Sequence, residues 1–98
     1  MIDNVLKNAP RVAGIMKLLG NENRLKILCF LSDEELSVSE IESLTGIAQS
    51  LISQNLKTLE LNNIVSARRE GKWIFYKIAS LEIQELFKAL YEIFCKEE

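Results

Sequence analysis

The side chains best suited to redox chemistry in this sequence are two cysteines, Cys29 and Cys95. There is no histidine, so the commonest general base and the commonest metal ligand are both missing, and hydrolytic triads are excluded. Two distant cysteines cannot hold zinc without help from carboxylates. Two interpretations of the pair stay open: both are small apolar core residues, or they form a thiol pair in which the charge of Lys96 favours the Cys95 thiolate.

The second feature that could do chemistry is a basic segment. The chain has 12 Lys and Arg against 14 Asp and Glu, a net charge of −2. Residues 48–79 hold five of the basic and two of the acidic residues. This segment therefore has a net charge of +3, and the rest of the chain has a net charge of −5. A local basic segment is what a phosphate-binding face requires, although chance clustering of surface charge would look the same.

Length and composition indicate the class of protein and the number of domains. Ninety-eight residues, 48% hydrophobic and 27% charged, predict one soluble globular domain over 1–98. The first ten residues lack a signal-peptide pattern, and no apolar run approaches the roughly 18 residues that cross a bilayer. We therefore expect a cytoplasmic protein that has no membrane partner and whose thiols start reduced.

Helical signals fill the first third of the chain. Pro10 suits the first turn of a helix that ends at Gly20, and Asn21 is a good N-cap for a second helix. The expected apolar stripe of that second helix includes Leu25, Leu28 and Cys29.

Two further helices follow around a tight glycine turn. Ser37 and Glu40 form a capping box at the start of a short helix, Val38 to Thr45. Gly46 ends that helix, and a longer one follows, with Leu51 and Ile52 on its apolar side. This is a helix-turn-helix, whose second helix reads DNA bases in the major groove. Its polar face, which a merely solvated helix could also show, supplies the predicted DNA-reading residues Gln49, Ser50, Ser53, Gln54 and Lys57.

A β-hairpin is predicted directly after the reading helix. Two runs, about Val65 to Arg69 and Trp73 to Ile78, flank a turn at Gly71. A hairpin in this position is the wing of a winged helix-turn-helix. Near its tip lie three cationic side chains that could bind phosphates or enter the minor groove, Arg68, Arg69 and Lys72.

The last helix is amphipathic and aromatic. Ser80 caps it, and its stripe repeats at helical spacing through Ile83, Leu86, Phe87, Leu90, Ile93 and Phe94. A small domain buries a limited share of its surface, so we expect the first and last helices to form a homodimer interface. The alternative is that the last helix covers only its own core. The predicted fold is mainly α with a small β-hairpin, in the order α-α-α-α-β-β-α.

In order and spacing, residues 12 to 95 resemble the ArsR/SmtB family of dimeric winged-helix bacterial repressors. The resemblance is carried by the runs LLGNENRLKILCFL, LSVSEI, QSLISQNLKTLELNNIV and RREGKWIFYKI. It implies dimerisation through the first and last helices, binding of double-stranded operator DNA by the fourth helix and wing, and release by an inducer. It implies no enzymatic activity.

Departures from the family pattern reduce the range of possible inducers. Ser37 and Ser39 stand where metal-sensing members carry Cys-x-Cys, and hydroxyls are poor ligands for soft metals. No metal or other cofactor is therefore expected. Ala48 and Asn55 replace a serine cap and a histidine common in the family, which leaves the start of the reading helix and its base preference open.

Another resemblance concerns the thiols. One subgroup of the family has a cysteine on each of the helices that carry Cys29 and Cys95, and that pair senses reactive sulfur species or oxidants. The resemblance thus implies a repressor released when the two thiols are cross-linked, by a disulfide or by a bridge with inserted sulfur atoms. Two other functions stay open: an anti-silencer that displaces another protein from DNA, and a protein-interaction module whose cysteines are structural.

Overall fold

In a computed structural model, which describes residues 1–96, five α-helices surround a three-stranded antiparallel sheet. The last α-helix continues into a short π-helical segment. The elements in chain order are α1 (Ile2–Leu19), α2 (Glu22–Leu31), β1 (Leu36–Ser37), α3 (Val38–Thr45), α4 (Gln49–Leu61), β2 (Val65–Glu70), β3 (Trp73–Ile78), α5 (Leu81–Leu90) and the π-helical segment (Tyr91–Cys95).

The core lies where α2, α3, α4 and α5 meet the base of the sheet. Its fully buried side chains are Ile27, Leu28, Leu31, Ile41, Ile52, Leu56, Leu59, Val65 and Phe87. Two apolar residues predicted to face inward, Leu25 and Leu51, are more than a third exposed. On α2 the buried set is shifted towards Ile27 and Leu31, because α3, α4 and β3 pack against that side.

Helix α1 begins well before Pro10, so the expectation that Pro10 opens it is wrong. The helix starts at Ile2 and runs through Pro10 to Leu19. Proline removes one helical hydrogen bond, but a helix continues through it when the residues on both sides favour the conformation. Here the preceding residues, which include Leu6 and Ala9, extend the same apolar stripe as Val12.

The sheet has one strand more than the predicted hairpin. Its order is β1-β3-β2, with Leu36 opposite Tyr76 and Ser37 opposite Phe75. Gly71, at φ +60°, makes the turn between β2 and β3, a conformation that costs glycine little. Strand β1 therefore joins the wing directly to the chain that leaves α2.

The C-terminal helix is buried only in its first half. Ile83 and Phe87 are buried, whereas Ile93 and Phe94 are 70% and 78% exposed. A bidentate pair between Arg11 and Glu82, with N···O distances of 3.1 and 3.3 Å, ties this helix to α1. The predicted apolar stripe therefore continues beyond the protomer's own core.

Replacing Ser37 with alanine should lower the free energy of unfolding by about 1 kcal/mol. The Ser37 hydroxyl accepts from the Glu40 N–H at 3.2 Å, and the Ser37 N–H donates to the Glu40 carboxylate at 2.9 Å. Urea titration followed by circular dichroism measures the change. Ser39→Ala is the matched control, because Ser39 is exposed and takes no part in the cap; equal stability of the two variants would contradict the role of the cap.

Candidate nucleic-acid interface and thiol cavity

The predicted reading face of α4 is open to solvent. Its five residues are all exposed: Gln49, Ser50, Ser53, Gln54 and Lys57. Ala48 is the N-cap and gives no side-chain hydrogen bond, and the helix begins at Gln49. The Gln49 amide donates to the Glu42 carboxylate of α3 at 2.9 Å, so this side chain has an acidic partner that it would have to leave in order to pair with a base.

A buried polar network holds α4 in place. The Arg24 guanidinium of α2 donates through Nε to Asn55 Oδ1 at 2.9 Å and through Nη1 to the Leu18 carbonyl of α1 at 3.0 Å. The Asn55 amide in turn donates to the Leu51 carbonyl at 2.9 Å. Asn55 thus lies inside the protein and not on the reading face, and through Arg24 it links α4 to α2 and to the end of α1. No sequence pattern predicted this network, because Arg24 and Asn55 are 31 positions apart along the chain.

The three cationic residues of the wing differ in their surroundings. Arg69 and Lys72 are exposed and have no acidic partner within residues 1–96. The Arg68 guanidinium is bonded to Glu35 through Nε and Nη2, the latter at 2.7 Å, and to Glu70 through Nη1 at 2.6 Å. It also lies over the Phe75 ring, 5.0 Å from the centroid. Its hydrogen bonds hold the pKa of the Glu35 carboxyl below its usual value.

The two thiols line one cavity. Cys29 is half-buried on α2, Cys95 is exposed at the end of the π-helical segment, and both are free thiols. The cavity, about 360 Å³, is completed by Phe30, Ser32, Asp33, Glu34 and Tyr91. Burial raises the pKa of the Cys29 thiol, and the nearby Cys95 raises it further. Lys96 forms an ion pair with Glu92 at 3.2 Å, so a carboxylate already offsets the charge expected to act on Cys95.

No cluster of three potential metal-ligating side chains occurs among residues 1–96. Within the same residues, no helix is both long and apolar enough to cross a membrane.

Comparison with known proteins agrees with this architecture. The family model for bacterial regulatory proteins of the arsR family matches residues 21–67, from the N-cap of α2 into β2. The transcriptional activator HlyU of Vibrio cholerae is 37% identical over 90 residues, which cover 92% of this chain and 83% of HlyU. The chain belongs to the ArsR family.

Three further comparisons, one of sequence and two of structure, agree with this family assignment. The biofilm growth-associated repressor of Xylella fastidiosa is 40% identical over 96 residues, covering 98% of this chain and 84% of the repressor. The crystal structure of the repressor BigR from the same organism superposes with a TM-score of 0.90 at 38% identity, over 99% of each chain. A homodimeric winged helix-turn-helix DNA-binding domain from Mycobacterium bovis superposes with a TM-score of 0.77 at 34% identity, over 93% of this chain and 84% of that one.

These findings confirm the predicted family and the winged helix-turn-helix fold. They also establish the general activity: this ArsR-family chain is a DNA-binding transcriptional regulator and not an enzyme.

Proposed function

We propose that this protein is a dimeric repressor that binds operator DNA while its thiols are reduced, and that cross-linking of Cys29 to Cys95 by a persulfide or an oxidant releases it. One observation carries the proposal: the two thiols, one on α2 and one at the end of the last helix, line the same solvent-accessible cavity. A cavity that both thiols share gives a small sulfur or oxygen donor access to each of them.

DNA reading follows from the open face of α4. In a winged helix-turn-helix the reading helix enters the major groove, where glutamine can pair with adenine and serine with a base or a phosphate. The exposed wing adds cations that bind phosphates without regard to sequence. Base preference would therefore reside in α4, and most of the electrostatic attraction in Lys57, Arg69 and Lys72.

A homodimer follows from the apolar surface that the protomer leaves open. Ile2, Val5 and Leu6 of α1 are exposed, as are Ile93 and Phe94 of the last helix. Exposed apolar stripes on two adjacent helices are typical of an interface between subunits. The homodimeric mycobacterial domain with the same fold supports this assembly.

The thiol chemistry balances without a metal. Cys95 is exposed, whereas burial raises the pKa of the Cys29 thiol and so lowers the share of its reactive thiolate; we therefore expect Cys95 to react first. Its thiolate attacks the outer sulfur of a low-molecular-weight persulfide, forming a Cys95 persulfide and releasing the low-molecular-weight thiol. Cys29, losing its proton, then attacks the inner sulfur and expels hydrogen sulfide, which leaves a disulfide. If both cysteines are first converted to persulfides, their condensation releases hydrogen sulfide and leaves a trisulfide; peroxide gives the disulfide and water through a sulfenic acid.

A cross-link between these positions would act on the dimer as well as on the DNA-reading core. It would join α2, which is bonded to α4 through Arg24, to the segment that carries Ile93 and Phe94. Dimers of this fold contact two half-sites about one helical turn apart, so a small change in the spacing of the two reading helices weakens both contacts. A coupling free energy of about 2–3 kcal/mol, or about 30- to 150-fold in affinity, is within the usual range for allostery.

The test uses a labelled DNA duplex that the reduced protein has selected from a random-sequence pool. Its dissociation constant is measured by fluorescence anisotropy with reduced protein and after treatment with glutathione persulfide, peroxide or diamide, each sample being checked by intact mass. We expect weaker binding together with loss of both thiols, and a gain of whole sulfur atoms would identify persulfide as the inducer. Complete cross-linking with unchanged affinity would overturn the proposal.

A second candidate, an anti-silencer that displaces another protein from DNA, is favoured by the relative HlyU being named a transcriptional activator. Deletion of the gene separates the two, because reporter output rises when a repressor is lost and falls when an anti-silencer is lost.

Arg69→Gln should weaken binding to all duplexes similarly and reduce the slope of log Kd against log salt concentration by about 0.9. The reason is that one phosphate contact fewer releases one counterion fewer.

The charge-matched control is Lys88→Gln. Lys88 is exposed on α5, outside the basic segment 48–79, and its loss changes the net charge by the same amount and sign as the loss of Arg69. We expect the slope to stay at the wild-type value in Lys88→Gln. A Kd that hardly depends on salt in the wild-type protein would instead favour the protein-interaction module, because phosphate contacts make binding strongly salt-dependent.

A further inference from the structure

The loop that joins α2 to β1, residues 32–35, is short and is anchored at both ends. At its start, the Ser32 hydroxyl donates to the Cys29 carbonyl at 2.7 Å, and the Gln84 amide of α5 donates to the Ser32 carbonyl at 3.2 Å. Ser32 is buried. The start of the loop is therefore fixed to the turn of α2 that carries Cys29 and to α5, whose continuation carries Cys95.

The other end of the loop is fixed to the wing. Glu35 accepts from both Nε and Nη2 of Arg68 on β2, a fork-to-fork geometry that sets the direction of both side chains as well as their distance. Phe75 of β3 lies under the guanidinium, and Glu70 accepts from Nη1. The charge of Arg68 is thus shared by two carboxylates and is less available to phosphates than that of Arg69.

Between these two ends the loop forms a wall of the thiol cavity. Asp33 and Glu34 line the same cavity as Cys29 and Cys95. A change in the relative position of the two thiols would therefore move the loop, and the loop ends on the residue that holds Arg68.

We propose that Arg68 is a positioning residue and not a phosphate contact, and that its pair with Glu35 transmits the state of the thiol cavity to the wing. The inference rests on the proposed thiol switch and adds the path by which the switch reaches the DNA-binding surface. It also changes the role predicted for Arg68 from the sequence. An exposed ion pair contributes little to the free energy of unfolding. The expected role of the Glu35–Arg68 pair is therefore to hold the loop and the wing in one relative position.

The experiment compares Glu35→Gln with Glu34→Gln in the full chain. Both substitutions remove one carboxylate from the same loop, but Glu35 alone of the two bonds to Arg68. For each protein, affinity for the selected duplex is measured reduced and after glutathione persulfide treatment, with intact mass reporting the extent of cross-linking. We expect wild type and Glu34→Gln to lose about 30- to 150-fold in affinity on cross-linking, and Glu35→Gln to cross-link equally but to lose less than about 5-fold.

A second readout does not depend on DNA. Trp73, the single tryptophan of the chain, lies at the start of β3 beside the wing turn. Its fluorescence should shift when wild type or Glu34→Gln is cross-linked, and should stay at the reduced value in Glu35→Gln. Thermal unfolding of the reduced proteins should give similar midpoints, which separates a role in transmission from one in stability.

Each other outcome overturns the inference in a distinguishable way. If Glu35→Gln loses as much affinity as Glu34→Gln, the Glu35–Arg68 pair does not transmit the signal, although the thiol switch stands. If Glu35→Gln fails to cross-link, the residue acts on the thiol chemistry instead. If wild type cross-links fully and keeps its affinity, the switch and the transmission path both fail.

Discussion

Glutamate in place of Leu6 should convert the dimer into monomers and lower the affinity for a two-half-site duplex by about 10²- to 10⁴-fold. Leu6 is 69% exposed in the protomer. It lies on an apolar stripe of α1 made by Ile2, Val5, Leu6, Val12 and Met16, all of them exposed. A buried carboxylate without a partner is costly, so a charge at this position would disfavour the interface. A monomer binds only one half-site, so it loses the additional affinity that a dimer obtains by binding both half-sites at once.

The measurement combines analytical ultracentrifugation with anisotropy on the selected duplex. Lys7→Glu is the matched control, because it places a new carboxylate one residue further along α1, on the side opposite the apolar stripe. We expect Lys7→Glu to remain dimeric. A dimeric Leu6→Glu protein would show that α1 does not form the interface, and a monomer with full affinity would show that operator binding does not need the dimer.

Periodic patterns predicted the DNA-reading elements well. The structure places α3 at Val38–Thr45, as the capping box indicated, and the hairpin at Val65–Glu70 and Trp73–Ile78, within one residue of the predicted bounds. These elements are local: their caps, turns and alternation lie within a few residues of one another, which is the range that sequence patterns describe.

Features that depend on distant residues could not be predicted in this way. Strand β1 is two residues long and has no period of its own, and it forms because β3 offers it a partner. Glu35 and Arg68 are 33 positions apart, so nothing in the wing sequence indicated that its first arginine is already paired. The shared cavity likewise depends on where the last helix ends, and the cysteine spacing alone did not show that the two thiols would meet there.

Serine in place of either cysteine should abolish the response to persulfide, which we expect to be about 30- to 150-fold in the wild type. No intramolecular cross-link can form with one thiol, so the treated and untreated variants should bind the selected duplex equally. The reduced variants should keep the wild-type affinity, because neither thiol lies on the reading face of α4 or on the wing.

The two single variants should nevertheless differ in mass after persulfide treatment. Burial raises the pKa of the Cys29 thiol, so less of its reactive thiolate is present at neutral pH, whereas Cys95 is exposed. Cys29→Ser should therefore still take up sulfur at Cys95, and Cys95→Ser should stay largely unmodified until the pH is raised. The double variant controls for oxidation elsewhere. If Cys29→Ser and Cys95→Ser both still release DNA, the switch does not lie in this pair; if Cys95→Ser reacts faster than Cys29→Ser, Cys29 is the thiol that reacts first and the order of the two steps is reversed.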